Sequence, residues 1–227
     1  RALSAAFAQN RFDGEPVAAT ADPTCCSGSR ATVCNGTGGR RLLMTDLRAK
    51  GLRARRNMSD DARANSSAII CQRVIRSRLF SSSRYLACYL PMHDEVDTRE
   101  IIERAWCANK RIFAPVLRSK QKMFFREIHV ESTLVRDSFG LWEPSTGDFI
   151  DPRDLDIVIT PTVAFDRQNN RIGMGSGYFD RCFAFLRHRK HWFRPKLVGV
   201  AFECQKVEKI APNPWDIRLY GVISDAA

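Results

Sequence analysis

Long apolar runs are missing from this sequence. No stretch approaches the roughly 18 apolar residues of a membrane-spanning helix, and Ala2 to Ala8 is too short and too mixed for the core of a signal peptide. None of the eight cysteines is spaced Cys-x-x-Cys, which argues against a zinc ribbon. Their spread predicts a reducing cytoplasm rather than a disulfide framework. Cys71, Cys88, Cys107 and Cys182 sit in apolar or helical contexts and are expected to act as small core residues. His93, His129, His188 and His191 show no metal-ligand spacing and are expected on the surface. No Ser/His/Asp or Cys/His arrangement suggests a nucleophile, no Gly-Lys-Ser/Thr marks a P-loop, and no internal repeat is visible.

What the chain does have is positive charge. Its 36 Lys+Arg against 25 Asp+Glu give a net +11, with much of the excess between Arg40 and Arg78. A basic balance favours polyanionic partners. Aromatics are not interleaved there as base stacking requires, so nucleic acid is not expected as the main partner. The plain alternative is a solvated basic surface.

The length suits one domain with ample apolar content for a core. Residues 1–43 read differently from the rest: Asp22 to Gly39 is rich in Gly, Ser and Thr and follows no helical or strand period. They are expected to be an extension upstream of a start at Met44, the first methionine; a targeting or regulatory segment is the alternative. After Met44 the pattern is regular. Helices are predicted over Thr45 to Arg56, from an N-cap at Ser59 to about Leu79, and over Thr98 to Ala108 with Thr98 as N-cap. Ala68, Ile69, Val74 and Ile75 would share one face of the second, and Ile101, Ile102, Ala105 and Trp106 the buried face of the third. Strands are predicted at Arg84 to Leu90, Arg111 to Leu117, Met123 to Ile128, Asp156 to Thr160 and Lys196 to Phe202, with a loop over Asp137 to Gly147. Alternation of strands and helices predicts one α/β domain with a mainly parallel sheet covered on both faces.

The most informative stretch is Asn170-Arg-Ile-Gly-Met-Gly-Ser-Gly-Tyr-Phe-Asp-Arg181. It follows a short apolar strand and leads into a helix predicted over Tyr178 to His188. Glycines let backbone N–H groups approach an oxyanion, and such a run entering a helix reads as a phosphate cradle. Asp180 could hold the magnesium that travels with ATP. Taken alone, the run is also an ordinary turn, and Asp180 a helix-start carboxylate beside Arg181.

Val163 to Arg181, Tyr89-Leu-Pro-Met-His-Asp-Glu-Val-Asp-Thr98 and Asn213-Pro-Trp-Asp-Ile-Arg-Leu219 together resemble the motifs of 5-formyltetrahydrofolate cyclo-ligases, in the family's order, from about Leu47 to Ser224. The resemblance implies the three-layer fold shared with sugar-phosphate isomerases and CoA transferases. It implies ATP-dependent conversion of 5-formyltetrahydrofolate to 5,10-methenyltetrahydrofolate with release of ADP and phosphate, by a monomer in the cytoplasm. It places ATP against Arg48, Arg56, Arg171, Ile172, Gly173, Met174, Gly175, Ser176, Gly177, Tyr178 and Phe179, with Arg171 and Tyr178 nearest the reacting groups. The folate, with or without a polyglutamate tail, would meet Leu90, Glu95, Trp142 and Tyr178; Mg²⁺ would be held by Asp180 and Asp216. Without the resemblance, Asp216 is a loop carboxylate paired to Arg218, Asp94, Glu95 and Asp97 form a solvated acidic turn, and Arg56 lies on a solvated helix face. A non-catalytic member binding folate or RNA is the other reading. The chain departs from the family at Met174, where many members carry Arg, at Ser176, and at Met44, where a lysine is usual; ATP affinity is what these changes bear on.

Overall fold

The computed structural model describes residues 37–118, 122–138, 140–189 and 194–226. Helix α1 spans Thr37–Arg56, beginning upstream of Thr45. Ser59 caps α2 (Asp60–Arg76), its hydroxyl accepting from the Ala62 N–H at 3.2 Å. Ser77 ends α2 and caps the short α3 (Arg78–Ser82), so the single helix expected as far as Leu79 is two. The face α2 buries is Arg63, Ser67, Ile70, Cys71 and Val74; Ala68 and Ile69 point outward. The adjacent Ile69 and Ile70 cannot share a stripe of period 3.6, and packing selects Ile70.

Strand β1 (Tyr85–Cys88) is followed by α4 (Arg99–Cys107), β2 (Arg111–Arg118) and β3 (Lys122–Glu127). Thr98 precedes α4 but makes no cap; its hydroxyl donates instead to the Tyr89 carbonyl at 2.8 Å, tying the helix to the end of β1. Ile101, Ile102 and Ala105 are buried, while Trp106 is half-buried and donates its indole N–H to Ile128 O. Strand β4 (Leu134–Arg136) precedes the expected loop and pairs antiparallel with β5 (Trp142–Pro144), which lies inside it, and β6 is Phe149–Ile150. Strand β7 (Ile157–Pro161) leads to the ribbon of β8 (Ala164–Phe165) and β9 (Arg171–Ile172). The helix expected over Tyr178 to His188 is a short α5 (Tyr178–Cys182) and a separate 3₁₀ turn, Ala184–His188, broken at the buried Phe183. That break brings Phe179, Phe183 and Phe185 together in one aromatic cluster. Strands β10 (Lys196–Val200) and β11 (Gly221–Ile223) complete the sheet.

The seven-stranded order is β11-β10-β7-β1-β2-β3-β6; the first five strands are parallel, and β3 and β6 are antiparallel at one edge. Alternation along the buried strands explains the layers. Leu86, Cys88, Ile112, Ile157, Ile159, Val198 and Val200 face α2 and α4. Ala87, Phe113, Val158 and Leu197 face the other way, onto Phe183, Ile217 and Leu219. The result is the three-layer α/β fold, its second outer layer thin because α5 is barely more than a turn. Cys71 and Cys88 are core residues as expected; Cys182 is half-buried, and Cys107, at the end of α4, is exposed.

The chain runs from β1 to β2 in one direction and from β7 to β10 and β11 in the other, so the topology switches between β1 and β7. At such a point the loops leaving the strands' carboxyl ends diverge and leave a crevice. Pro115 lies beyond the last residue of β2 that β1 pairs, where a missing N–H is tolerated and the sheet opens. Among the described residues no helix is long and apolar enough to cross a membrane.

Candidate active site

A cleft of about 1260 Å³ occupies that switch point. Tyr89 and Leu90 line it from the end of β1, Pro161 and Thr162 from the end of β7, and Leu117 from β2. The other walls include Arg48 of α1, Glu95, Trp142 of β5, Arg171 and Ile172 of β9, Gly173 to Phe179, and Asp180 and Asp216. Residues assigned from five separate stretches of sequence therefore share one concavity. Arg56 is not among them: its exposed side chain turns outward, with Nε 3.4 Å from Asp94.

The glycine loop is shaped by arginines. Arg48 donates Nε–H to the Gly173 carbonyl at 2.9 Å and lies beside Gly175, where a Cβ would come within 3.3 Å of the guanidinium carbon. Gly175 and Gly177 have φ of +105° and +68°, conformations that side chains oppose. Arg181 donates to the Ser176 carbonyl at 2.6 Å and covers the Tyr178 ring. Since α5 is so short, its dipole adds little; the positive potential comes from Arg48, Arg171 and Arg181. Met174 is exposed at the tip of the loop, while Met44 packs below it with Ala164, Ile172, Val207 and Ile210. Where the family's pattern has a lysine, this chain anchors α1 to the base of the loop.

Arg171 is buried, and burial draws its guanidinium down from its ordinary range while Asp180 and Asp216 oppose that. Nη2 donates to Asp180 at 3.0 Å and the guanidinium covers the Phe179 ring, but the buried Nε makes no hydrogen bond. Asp180 thus pairs with Arg171, not with its neighbour Arg181, and its Oδ1 also accepts from the Ile217 N–H at 3.0 Å. That bond sets Asp180 beside Asp216, whose Oδ2 accepts from the N–H and side-chain amide of Asn213 at 2.7 and 3.2 Å. Asp216 is not paired to Arg218, which turns away to the Gln168 carbonyl. Among the described residues Oδ2 of Asp180 and Oδ1 of Asp216 accept no hydrogen bond. No cluster of three His, Cys, Asp or Glu that could hold a metal is found there. Two carboxylates nevertheless suffice for an ion such as Mg²⁺, which keeps several waters and takes substrate phosphates.

At the other end Glu95 is buried, and burial raises its carboxyl above the ordinary range although Arg55 counters this. Oε2 accepts from the Met92 N–H at 3.2 Å, and Oε1 lies 3.6 Å from Arg55 Nη1. The segment is therefore not a solvated acidic turn: Asp94 is clamped by Nε and Nη2 of Arg55 at 2.9 and 3.1 Å, and only Asp97 and Arg99 form an exposed pair. Trp142 is half-buried, with Arg136 over its ring at 4.8 Å. Tyr89 is built into the wall, its hydroxyl donating to the Val96 carbonyl at 3.1 Å. Asp166 accepts four hydrogen bonds, from Gln168, Asn170 (twice) and Ile210, and does not line the cleft. His93, His129 and His188 are exposed; His191 lies outside the described residues.

Sequence reasoning passed over Arg55, because the positive charges around it are uniformly dense and its partner is far along the chain. The helical spacing Arg48, Gly51, Arg55 was the available signal.

A family model described as the 5-formyltetrahydrofolate cyclo-ligase family matches residues 43–225. The chain is 37% identical over 147 residues to 5-formyltetrahydrofolate cyclo-ligase of Escherichia coli K12, covering 61% of this chain and 76% of that protein. It is 28% identical to the mouse enzyme of the same name over 195 residues, 78% of this chain and 91% of that one. The NMR structure of Aquifex aeolicus 5,10-methenyltetrahydrofolate synthetase superposes with a TM-score of 0.70 at 29% identity, covering 82% of this chain and 91% of that chain. By these matches and by its fold, the chain belongs to the 5-formyltetrahydrofolate cyclo-ligase family.

Proposed function

We propose that this cleft converts 5-formyltetrahydrofolate to 5,10-methenyltetrahydrofolate using ATP, as a monomer acting in the cytoplasm whose catalytic unit is residues 44–227. The formyl oxygen attacks the γ-phosphorus, and the bond to the leaving ADP breaks. N10 of the folate then attacks the activated carbon and gives up its proton. Breaking the carbon–oxygen bond releases phosphate and leaves the methenyl bridge. Such chemistry asks the protein for positioning and charge neutralisation rather than for a nucleophilic side chain.

In this reading the backbone from Ile172 to Gly177 and Arg48 cradle the triphosphate. Arg171, charged and with Nε uncommitted, faces the charge that develops on the transferred phosphoryl group. Asp180 and Asp216 would hold Mg²⁺, which neutralises the triphosphate oxygens. Tyr178 and Phe179 border the reacting groups. Glu95 accepts the paired donors of the pterin, while Leu90 and Trp142 enclose its ring. The observation supporting the reading is that the glycine loop with its arginines and the buried Glu95 open into the same cleft.

Absorbance in the methenyl-folate band tests it. Purified protein given 5-formyltetrahydrofolate, ATP and Mg²⁺ should show a rise that disappears without ATP and in Asp180→Ala. Binding of folate with no rise would overturn the catalytic reading in favour of a binding protein.

A further inference from the structure

Arg55 stands out once the cleft is described. It is 2% exposed, the most deeply buried arginine among the described residues, and it lies outside the cleft itself. Its guanidinium bridges two consecutive carboxylates: Nε and Nη2 lock onto Asp94, and Nη1 reaches Oε1 of Glu95. A buried cation so placed costs several kcal/mol to desolvate and adds little net stability over an apolar side chain, so its retention calls for another role.

We propose that Arg55 is a positioning residue for folate recognition, holding Glu95 in its cleft-facing rotamer as an anion. This rests on the reading of Glu95 as the folate anchor. A neutral carboxyl would present one donor and could not accept two pterin N–H groups at once. Burial drives Glu95 toward the neutral form, and Asp94 beside it acts in the same sense; Arg55 opposes them. Arg56 touches only Asp94 from the exposed side. The Met92 N–H fixes the other oxygen, leaving lone pairs of both oxygens for a ligand. Arg48, two turns earlier on the same helix, supports the glycine loop through Gly173. One rigid helix therefore sets both ends of the cleft.

The test is the pH dependence of KM for 5-formyltetrahydrofolate at saturating ATP. Arg55→Gln removes an opposite charge within 4 Å of Glu95, so the acid limb should move up by about 1–3 pH units. Below that limb KM should rise about tenfold per pH unit, with kcat little changed. Arg55→Lys should restore most of the wild-type profile. Asp94→Asn removes a like charge and should move the limb the other way, toward lower pH. These opposite displacements are what a merely structural role would not produce. A KM raised equally at every pH in Arg55→Gln, or an unmoved limb in both variants, overturns the proposal while leaving the folate reading intact. A wild-type KM in Glu95→Gln overturns the reading of Glu95, and the proposal with it.

Discussion

Gly51→Ala is the substitution that most directly tests whether α1 sets the cleft. Alanine is the better helix former by about 1 kcal/mol, so propensity alone predicts a more stable protein. The structure predicts the opposite. A Cβ at Gly51 would lie 2.2 Å from the Val163 carbonyl oxygen, 3.1 Å from its carbon and 3.3 Å from the Ala164 Cβ. Val163 cannot yield easily: its carbonyl accepts from Gln205 Nε2 at 2.7 Å and its N–H donates to Ile172 O at 2.8 Å. The helix must retreat by roughly 1 Å, an overpacking that costs about 3 kcal/mol, or about 2 kcal/mol after the propensity gain. For a chain of this size that lowers Tm by roughly 4–8 °C. The same retreat stretches the 2.9 Å bonds from Arg48 to Gly173 and from Arg55 to Asp94 past hydrogen-bonding distance. Displacement of that order at both ends of the cleft should reduce kcat/KM roughly 10- to 100-fold. Thermal melts read one effect and steady-state kinetics in both substrates the other. A Tm raised by the propensity gain, with wild-type kinetics, would refute the wedge between α1 and Val163 and the strut derived from it.

Asp180→Ala and Asp216→Ala should separate stability from activity. Removing Asp180 leaves the buried Arg171 uncompensated, which costs about 3–5 kcal/mol, whereas Asp216 accepts only from its own turn and its loss should shift a denaturant midpoint much less; both should abolish the methenyl absorbance. Asp166 is held below the usual carboxylate range because, against burial, the side chain and N–H of Asn170 and the N–H groups of Ile210 and Gln168 favour its anion. A depressed carboxylate contributes stability above its unfolded pKa that is lost as pH falls through the folded one, so urea midpoints of wild type and Asp166→Asn should converge below about pH 4 and differ most near neutrality. Burial pushes the Cys71 thiol up to about 12 and Cys88 further still, so at pH 8 a thiol reagent should label the exposed Cys107 and Cys204 among the described cysteines while Cys71 and Cys88 react only on unfolding.

The parts of this molecule legible in its sequence are those whose cause is local. Strand β7 is an apolar run ended by proline, Ser59 announces α2, and alternating glycines mark the loop because glycine takes the positive φ of Gly175 and Gly177 without the strain a side chain brings. The misread elements are those where packing overrides local preference: Thr98 gives up its capping role to bond Tyr89, and the short β4, β5, β8 and β9 exist only because a partner lies alongside. In the cleft the glycine loop and its flanking charges could be named in advance, but the pairings could not. Asp180 turns to Arg171 rather than Arg181, and Asp216 to Asn213 rather than Arg218, because each carboxylate takes the donor the fold presents and not the nearest in sequence.

Arg55 is the extreme case of that rule. Within the basic run from Arg40 to Arg78, charge alone does not distinguish it from its neighbour Arg56, yet one is buried on Asp94 and the other exposed. The difference is one residue of helix, about 100° of rotation. Arg55 falls on the stripe with Arg48 and Gly51, and at Gly51 the helix backbone lies directly against Val163 and Ala164. A glycine that admits the backbone of Val163 therefore decides which arginine is drawn inward, and the inward arginine opposes the burial that raises the Glu95 carboxyl. Moving that glycine one position along α1 should exchange the environments of Arg55 and Arg56. Hence a variant with Gly51→Leu and Leu52→Gly should lose folate affinity even though its composition and net charge are unchanged, and retention of wild-type KM by that variant would show that Asp94, not the helix face, selects the arginine.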